Sequence, residues 1–240
     1  MIRALGLVLA ASVLAACASM QDEQSAERLP RLSECPAFEN VDRAELMRLA
    51  DPAQNPAVAE YDQNIRASVE RTPLPPEAAV ATTRIRLRAP PTGMWARDNF
   101  VTAWRDGRGD WYFARQDIDY SAPPPPPVMP PSYPPPADWA PLSPTLAERF
   151  PVRTGRASME AGAALDALLA DPCMRLEPDR FTSSVPLRRA HGWVCVPDSS
   201  AWFAEIVQAG RPPRLVGVAC ENRFLSSRLL QTVLAIGARE

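Results

Sequence analysis

The stretch NFVTAWRDGRGDWYFARQD, residues 99–117, decides the fold. Two runs rich in aromatic and β-branched residues, Phe100 to Trp104 and Trp111 to Ala114, flank Asp106-Gly107-Arg108-Gly109, whose glycines supply the positive φ of a tight turn. This is a β-hairpin. Its tip includes Arg108-Gly109-Asp110, an adhesion motif in other settings, but the turn accounts for each glycine and aspartate. Trp95, Trp104, Trp111 and Tyr112 offer either a sugar-stacking platform or core and cross-strand packing, and packing is the expectation. Asp117 and Asp119 begin like a calcium loop but lack its glycine and closing glutamate, so no metal is expected.

Upstream, TRIRLRA (residues 83–89) alternates strictly, with Arg84, Arg86 and Arg88 on one face and Ile85 and Leu87 on the other. It is a half-buried strand. Two readings of the arginine row stand. It is a solvated face whose charge discourages edge pairing, which is the expectation, or an anion-binding row for phosphate or sulfate.

Helices surround this hairpin and strand. Val41, Leu46, Met47 and Leu49 fall at helical spacing before Asp51-Pro52. A second helix is expected over 55–69, with Val58, Tyr61, Ile65 and Val69 on one face. Residues 157–170 form a third, with Met159, Leu165, Leu168 and Leu169 facing one way and Asp171-Pro172 ending it. Short strands are expected over 184–188, 192–196, 201–208 and 214–220. Asn222 can cap a closing helix striped by Leu225, Leu229, Val233 and Ile236 and ended by Gly237. The fold class is α+β, helices packed on antiparallel sheet.

Residues 122–144 hold 12 of the 28 prolines. Proline fixes φ and lacks a backbone donor, so this stretch joins neither sheet interior nor helix. It is a rigid spacer, a docking ligand or a loop excursion. As extended polyproline it would reach about 70 Å.

The N-terminus reads as an export signal. Arg3 precedes an apolar run through Leu14 that is too short to span a bilayer. Leu14-Ala15-Ala16-Cys17 resembles the lipobox of bacterial lipoproteins. That resemblance implies a signal peptide over 1–16, acylation of Cys17, and anchoring to membrane lipid on the periplasmic side of the envelope. Ala18 after the cysteine implies the outer rather than the inner membrane. The competing reading is ordinary signal-peptidase cleavage after Ala18, which frees a soluble protein. Residues 17–33 are a polar tether of about 20–25 Å as a coil. Residues 34–240 are then one domain interrupted at 122–144.

Four cysteines remain: Cys35, Cys173, Cys195 and Cys220. An even number in an oxidising compartment, with no C-x-x-C, points to two structural disulfides. One cysteine precedes the proline-rich stretch and three follow it, so one bridge must join the halves and the stretch is an excursion rather than a free spacer. If Cys195 and Cys220 flank the 201–208 strand in a meander, they lie too far apart to pair. Cys173 is then expected to pair with one of them and Cys35 with the other.

Several chemistries are excluded. All 26 basic residues are arginine, so no lysine-based phosphate loop, Schiff base or S-x-x-K serine exists. A single histidine, His191, rules out H-E-x-x-H zinc sites. Formal net charge is −2 with no basic run, so no nucleic acid is expected, and no cofactor motif is present. The expected function is therefore a non-catalytic binding or structural lipoprotein of the cell envelope, with an envelope protein or glycan as partner. The alternative is a carboxylate-dependent hydrolase acting on an envelope glycan.

Overall fold

The computed structural model describes residues 29–36, 44, 48, 51, 53, 56–91, 97–122, 145–177, 180–181, 201–219 and 224–238. In chain order the elements are α1 (Pro56–Glu70), α2 (Pro76–Ala79), β1 (Thr83–Ala89), β2 (Arg97–Arg105), β3 (Trp111–Asp119), α3 (Leu146–Arg149), β4 (Arg153–Arg156), α4 (Met159–Ala170), β5 (Arg180–Phe181), β6 (Ala201–Val207), β7 (Arg214–Ala219) and α5 (Leu225–Ala235). The strands form one sheet in the order β4-β3-β2-β1-β6-β7-β5. All neighbours are antiparallel except the two-residue β5, which runs parallel to β7. The class is α+β. The strands expected over 184–188 and 192–196, and His191, Cys195, Cys220 and the proline-rich residues 123–144, lie outside the described residues.

The hairpin pairs Trp104 with Tyr112 and Arg105 with Trp111, and Gly109 takes φ +91° in its turn. Asp106 Oδ1 accepts from the N–H of Arg108 and of Asp110, both at 2.9 Å, so the Arg-Gly-Asp tripeptide is built into the turn.

Alternation gives the sheet two unlike faces. On the first, Ile85, Leu87, Val101, Ala103, Ala204, Ile206, Val216 and Val218 are buried beneath α4 and α5, which contribute Leu165, Leu168, Leu169, Leu229, Leu230 and Val233. Each such large side chain contributes about 1.5–3 kcal/mol on burial. Met159, expected on this stripe, is instead 90 % exposed in the first turn of α4. Ser158 caps that helix through the N–H of Ala161. On the second face lie Arg84, Arg86 and Arg88, and over them α1, with Ile65 and Val69 buried.

The N-terminus of α5 is held from a distance. Phe224 occupies its N-cap and makes no side-chain cap bond, which displaces the expected role of Asn222. The acceptor is Glu177, whose two carboxylate oxygens take the N–H groups of Leu225 and Ser226 at 2.5 and 2.8 Å. A carboxylate there meets the positive end of the helix dipole. Burial nonetheless raises the Glu177 pKa, and the Ser226 and Leu225 N–H bonds oppose that rise only in part. At the other end Gly237, at φ +63°, closes the helix where an added Cβ would run into the Phe113 ring.

Cys35 is bridged to Cys173, with a Cα–Cα distance of 5.6 Å and a sequence separation of 138. This corrects the expected pairing of each with Cys195 or Cys220. The meander premise fails because β6 has β1, not a 192–196 strand, as its second neighbour. The bridge does join the chain on either side of the proline-rich stretch.

Two outcomes follow. A chain cut at a protease site introduced within 122–144 will run as one species in denaturing gels without reductant and as two with it. Replacing both Cys35 and Cys173 by Ala will lower unfolding free energy by up to about 5 kcal/mol, the chain-entropy value for so long a loop. For Glu177 the folded state binds its proton more tightly than the unfolded state, so stability falls as pH rises from the ordinary carboxylate range to the raised value. Glu177→Gln will remove that fall, read as the difference between wild-type and variant denaturation curves from about pH 4 to neutrality.

Candidate functional site

The row Arg84, Arg86 and Arg88 is not the solvated face that alternation suggested. Its side chains are 12–20 % exposed and lie under α1 and the segment that follows it. Arg86 donates to the carbonyls of Glu70 and Thr72 at 3.3 and 3.0 Å, closing the C-terminus of α1. Arg84 donates to Ala79 O at the end of α2 at 3.1 Å. Arg88 grips the fully buried Asp98 through Nε and Nη2 at 3.0 and 2.8 Å, reaches Ser68 of α1 at 3.3 Å, and lies 5.4 Å from the Phe100 ring centroid. Glu205 stands 3.7 Å from Arg84 and 3.9 Å from Arg86. Burial pushes the Arg86 guanidinium below its ordinary pKa, with Glu205 opposing. The row ties helices to the sheet. Its terminal nitrogens are engaged by helix carbonyls and by Asp98, while the Nε groups of Arg84 and Arg86 and one oxygen of Glu205 are buried without a hydrogen-bond partner, so the row is shut away from an external anion by its burial.

A different group of arginines opens to solvent. Where α5 ends over the first face, a cavity of about 570 Å³ is lined by Arg97, Asn99, Arg115, Asp117, Asp119, Arg149 and Arg153, with Phe150 on its rim. The register explains the gathering: Arg97 pairs with Asp119, Asn99 with Asp117, and Arg115 with Arg153, so all point to one face of β2, β3 and β4. Arg115 is buried. Its Nε bonds Asp117 at 2.7 Å, Nη1 bonds the carbonyls of Leu234 and Ile236, and Nη2 bonds Asn99 Oδ1 at 3.3 Å. Arg153 bonds Asp117 at 2.7 Å and Gly237 O at 3.0 Å. Asp119 accepts from the N–H and hydroxyl of Ser121 and from Arg97 at 3.2 Å. The Ser121 bonds, ahead of Arg97, hold its carboxyl below the usual range.

A second cavity of about 570 Å³ lies on the opposite face, floored by Trp104 and Tyr112, whose rings stack at 6.0 Å. Glu77, Asp106, Thr154 and Arg156 surround them. Trp104 is only 7 % exposed and packs with Ala78 and Ala114, so its main role is packing. Trp111 belongs wholly to the core, its indole N–H donating to Asp166 at 3.0 Å. Trp95 is outside the described residues.

The basin arginines come from β2, β3, β4 and α3 and share no local motif, so only its carboxylates, Asp117 and Asp119, stood out in the sequence, as the beginning of a calcium loop. The signal missed was the single Arg-x-Asp on β3, Arg115 to Asp117, which reads as an ion pair once the strand is placed. No family model, curated protein or solved structure matches this chain.

The contrast between the two arginine groups is measurable. Arg88→Ala will cost about 3–5 kcal/mol in unfolding free energy, because it leaves Asp98 buried without its partner. Arg97→Ala, in an exposed pair, will cost under about 1 kcal/mol. Equal losses in chemical denaturation would mean that α1 does not shield the row.

Proposed function

We propose that this chain is a lipid-anchored binding protein of the bacterial cell envelope, held by acylated Cys17 on the periplasmic side and acting without catalysis. The observation that favours binding over catalysis is the bonding of the basin carboxylates. Both oxygens of Asp117 and of Asp119 are taken up by guanidinium, amide and hydroxyl donors of the protein, which leaves neither carboxylate turned to a substrate, and the Ser121 bonds hold the Asp119 carboxyl below the usual range, against a role as proton donor. Among the described residues, the carboxyl pushed upward is Glu177, and it is buried against α5 away from both cavities. The Cys35–Cys173 bridge agrees with an oxidising compartment, and the lipobox-like Leu14-Ala15-Ala16-Cys17 supplies the anchor. Two or more acyl chains hold a protein at a membrane where one does not.

The glycan-hydrolase reading keeps one supporting feature, the presence of Glu77 and Asp106 beside the stacked aromatics. Asp106 is tied into the hairpin turn through Oδ1, which leaves Glu77 as the group to test. On that reading, Glu77→Gln would abolish release of soluble fragments from peptidoglycan by the purified protein.

Growth with labelled palmitate tests the anchor. Label will enter the wild-type chain and follow it into the membrane fraction, and Cys17→Ser will remove both. A wild-type chain without label would make the protein soluble and secreted instead.

A further inference from the structure

We propose that the basin bounded by Arg97, Asn99 and Arg153 is a binding site for a phosphate-class dianion. This names the ligand class for the binding role proposed above and rests on that role being binding rather than turnover. The argument is an inventory of donors and acceptors. Every carboxylate oxygen on the basin wall already accepts from the protein: Asp117 from Arg115 and Arg153, and Asp119 from Arg97 and Ser121. Arg115 is committed as well, to Asp117, Asn99 and the carbonyls of Leu234 and Ile236 at the end of the helix.

The remaining donors are in surplus. Of the five guanidinium N–H groups of Arg97, the bond to Asp119 engages only that on Nε, and its side chain is 66 % exposed. Arg153 uses one N–H on each terminal nitrogen and keeps Nε–H. Asn99, which lines the cavity, accepts from Arg115 on its side-chain oxygen and so still has its amide N–H groups to donate. A donor-rich, acceptor-poor cavity fits a ligand that only accepts.

Geometry narrows the class. Arg97 stands on Asp119 and Arg153 on Asp117, carboxylates two residues apart on one strand face and so about 7 Å apart. Two guanidinium forks entering from β2 and β4 can bracket one tetrahedral oxyanion. A carboxylate, with two oxygens, is saturated by a single fork, whereas a phosphate has oxygens for both. Arg149 on α3, at the third side, adds a positive wall.

Full-length protein in uncharged detergent micelles, titrated calorimetrically with inorganic phosphate, tests this. Saturable binding is expected, weakening as salt rises. Arg97→Gln, an exposed change that leaves the fold intact, will weaken it about tenfold or more. Arg228→Gln, on the exposed side of α5, will leave it unchanged. No saturation at millimolar phosphate, or equal affinity in the Arg97 variant, overturns the site. Repeating the titration with micelles carrying phosphatidic acid identifies the source, and either result there is consistent with the site. Tighter, Arg97-dependent binding assigns a lipid headgroup, and no gain assigns a soluble phosphate. A palmitate-labelled chain that ignores phosphate overturns the basin alone, and an unlabelled chain that binds it overturns the anchor alone.

Discussion

The arrangement depends on arginine side chains that leave strands to hold the carboxyl ends of helices. Arg86 closes α1, Arg84 closes α2, and Arg115 with Arg153 closes α5, while Arg214 reaches the carbonyl of Met174 at the end of the short turn after α4. The last carbonyls of a helix have no partner within it and carry partial negative charge, so a planar cation with several donors satisfies them from the side. In a chain without lysine every such cation is a fork, which can bind a carbonyl and a carboxylate together, as Arg115 and Arg153 do. The helices are thereby fixed over particular strands. The apolar contacts of the first face could be met at several helix positions, whereas these bonds are met at one.

Much of the local structure was legible. The hairpin of β2 and β3, the strand β1 and the span of α4 follow from alternation, turn glycines and a leucine stripe stopped by Asp171-Pro172, whereas the Ser158 cap was not read. What lay over each face was not. Alternation shows that Arg84, Arg86 and Arg88 share a side and says nothing about what covers it, and the covering helix ends in carbonyls that carry no sequence signature. A bridge across the proline-rich stretch was legible, but its partners were misassigned for a related reason: placing β1 between β2 and β6 is a long-range choice, and it removed the neighbour on which the expected pairing relied. Glu177 escaped because its partners, Leu225 and Ser226, stand far along the chain and donate through backbone.

The two faces divide the labour of the molecule. One is apolar and carries α4 and α5. The other is polar and charged, and its charges are matched to α1, α2 and Asp98. Where α5 stops, the first face becomes charged too, and there four guanidinium groups stand beside two carboxylates. The proposed ligand site is thus the continuation of the device that secures the helix end: the arginines required by the carbonyls of α5 also line the cavity beyond them.

The bridge between Cys35 and Cys173 has a mechanical meaning. A pull on the residues before Cys35 enters the fold at two points at once, at Cys35 itself and at Cys173 just after α4, since a covalent bond links them. The intervening chain, with α1, the hairpin and the proline-rich stretch, is a closed loop bypassed by that force. It cannot be peeled from the sheet one element after another. Tension from an N-terminal attachment is delivered instead to the buried layer around Met174 and Leu176, which must yield as a block before any strand is drawn out.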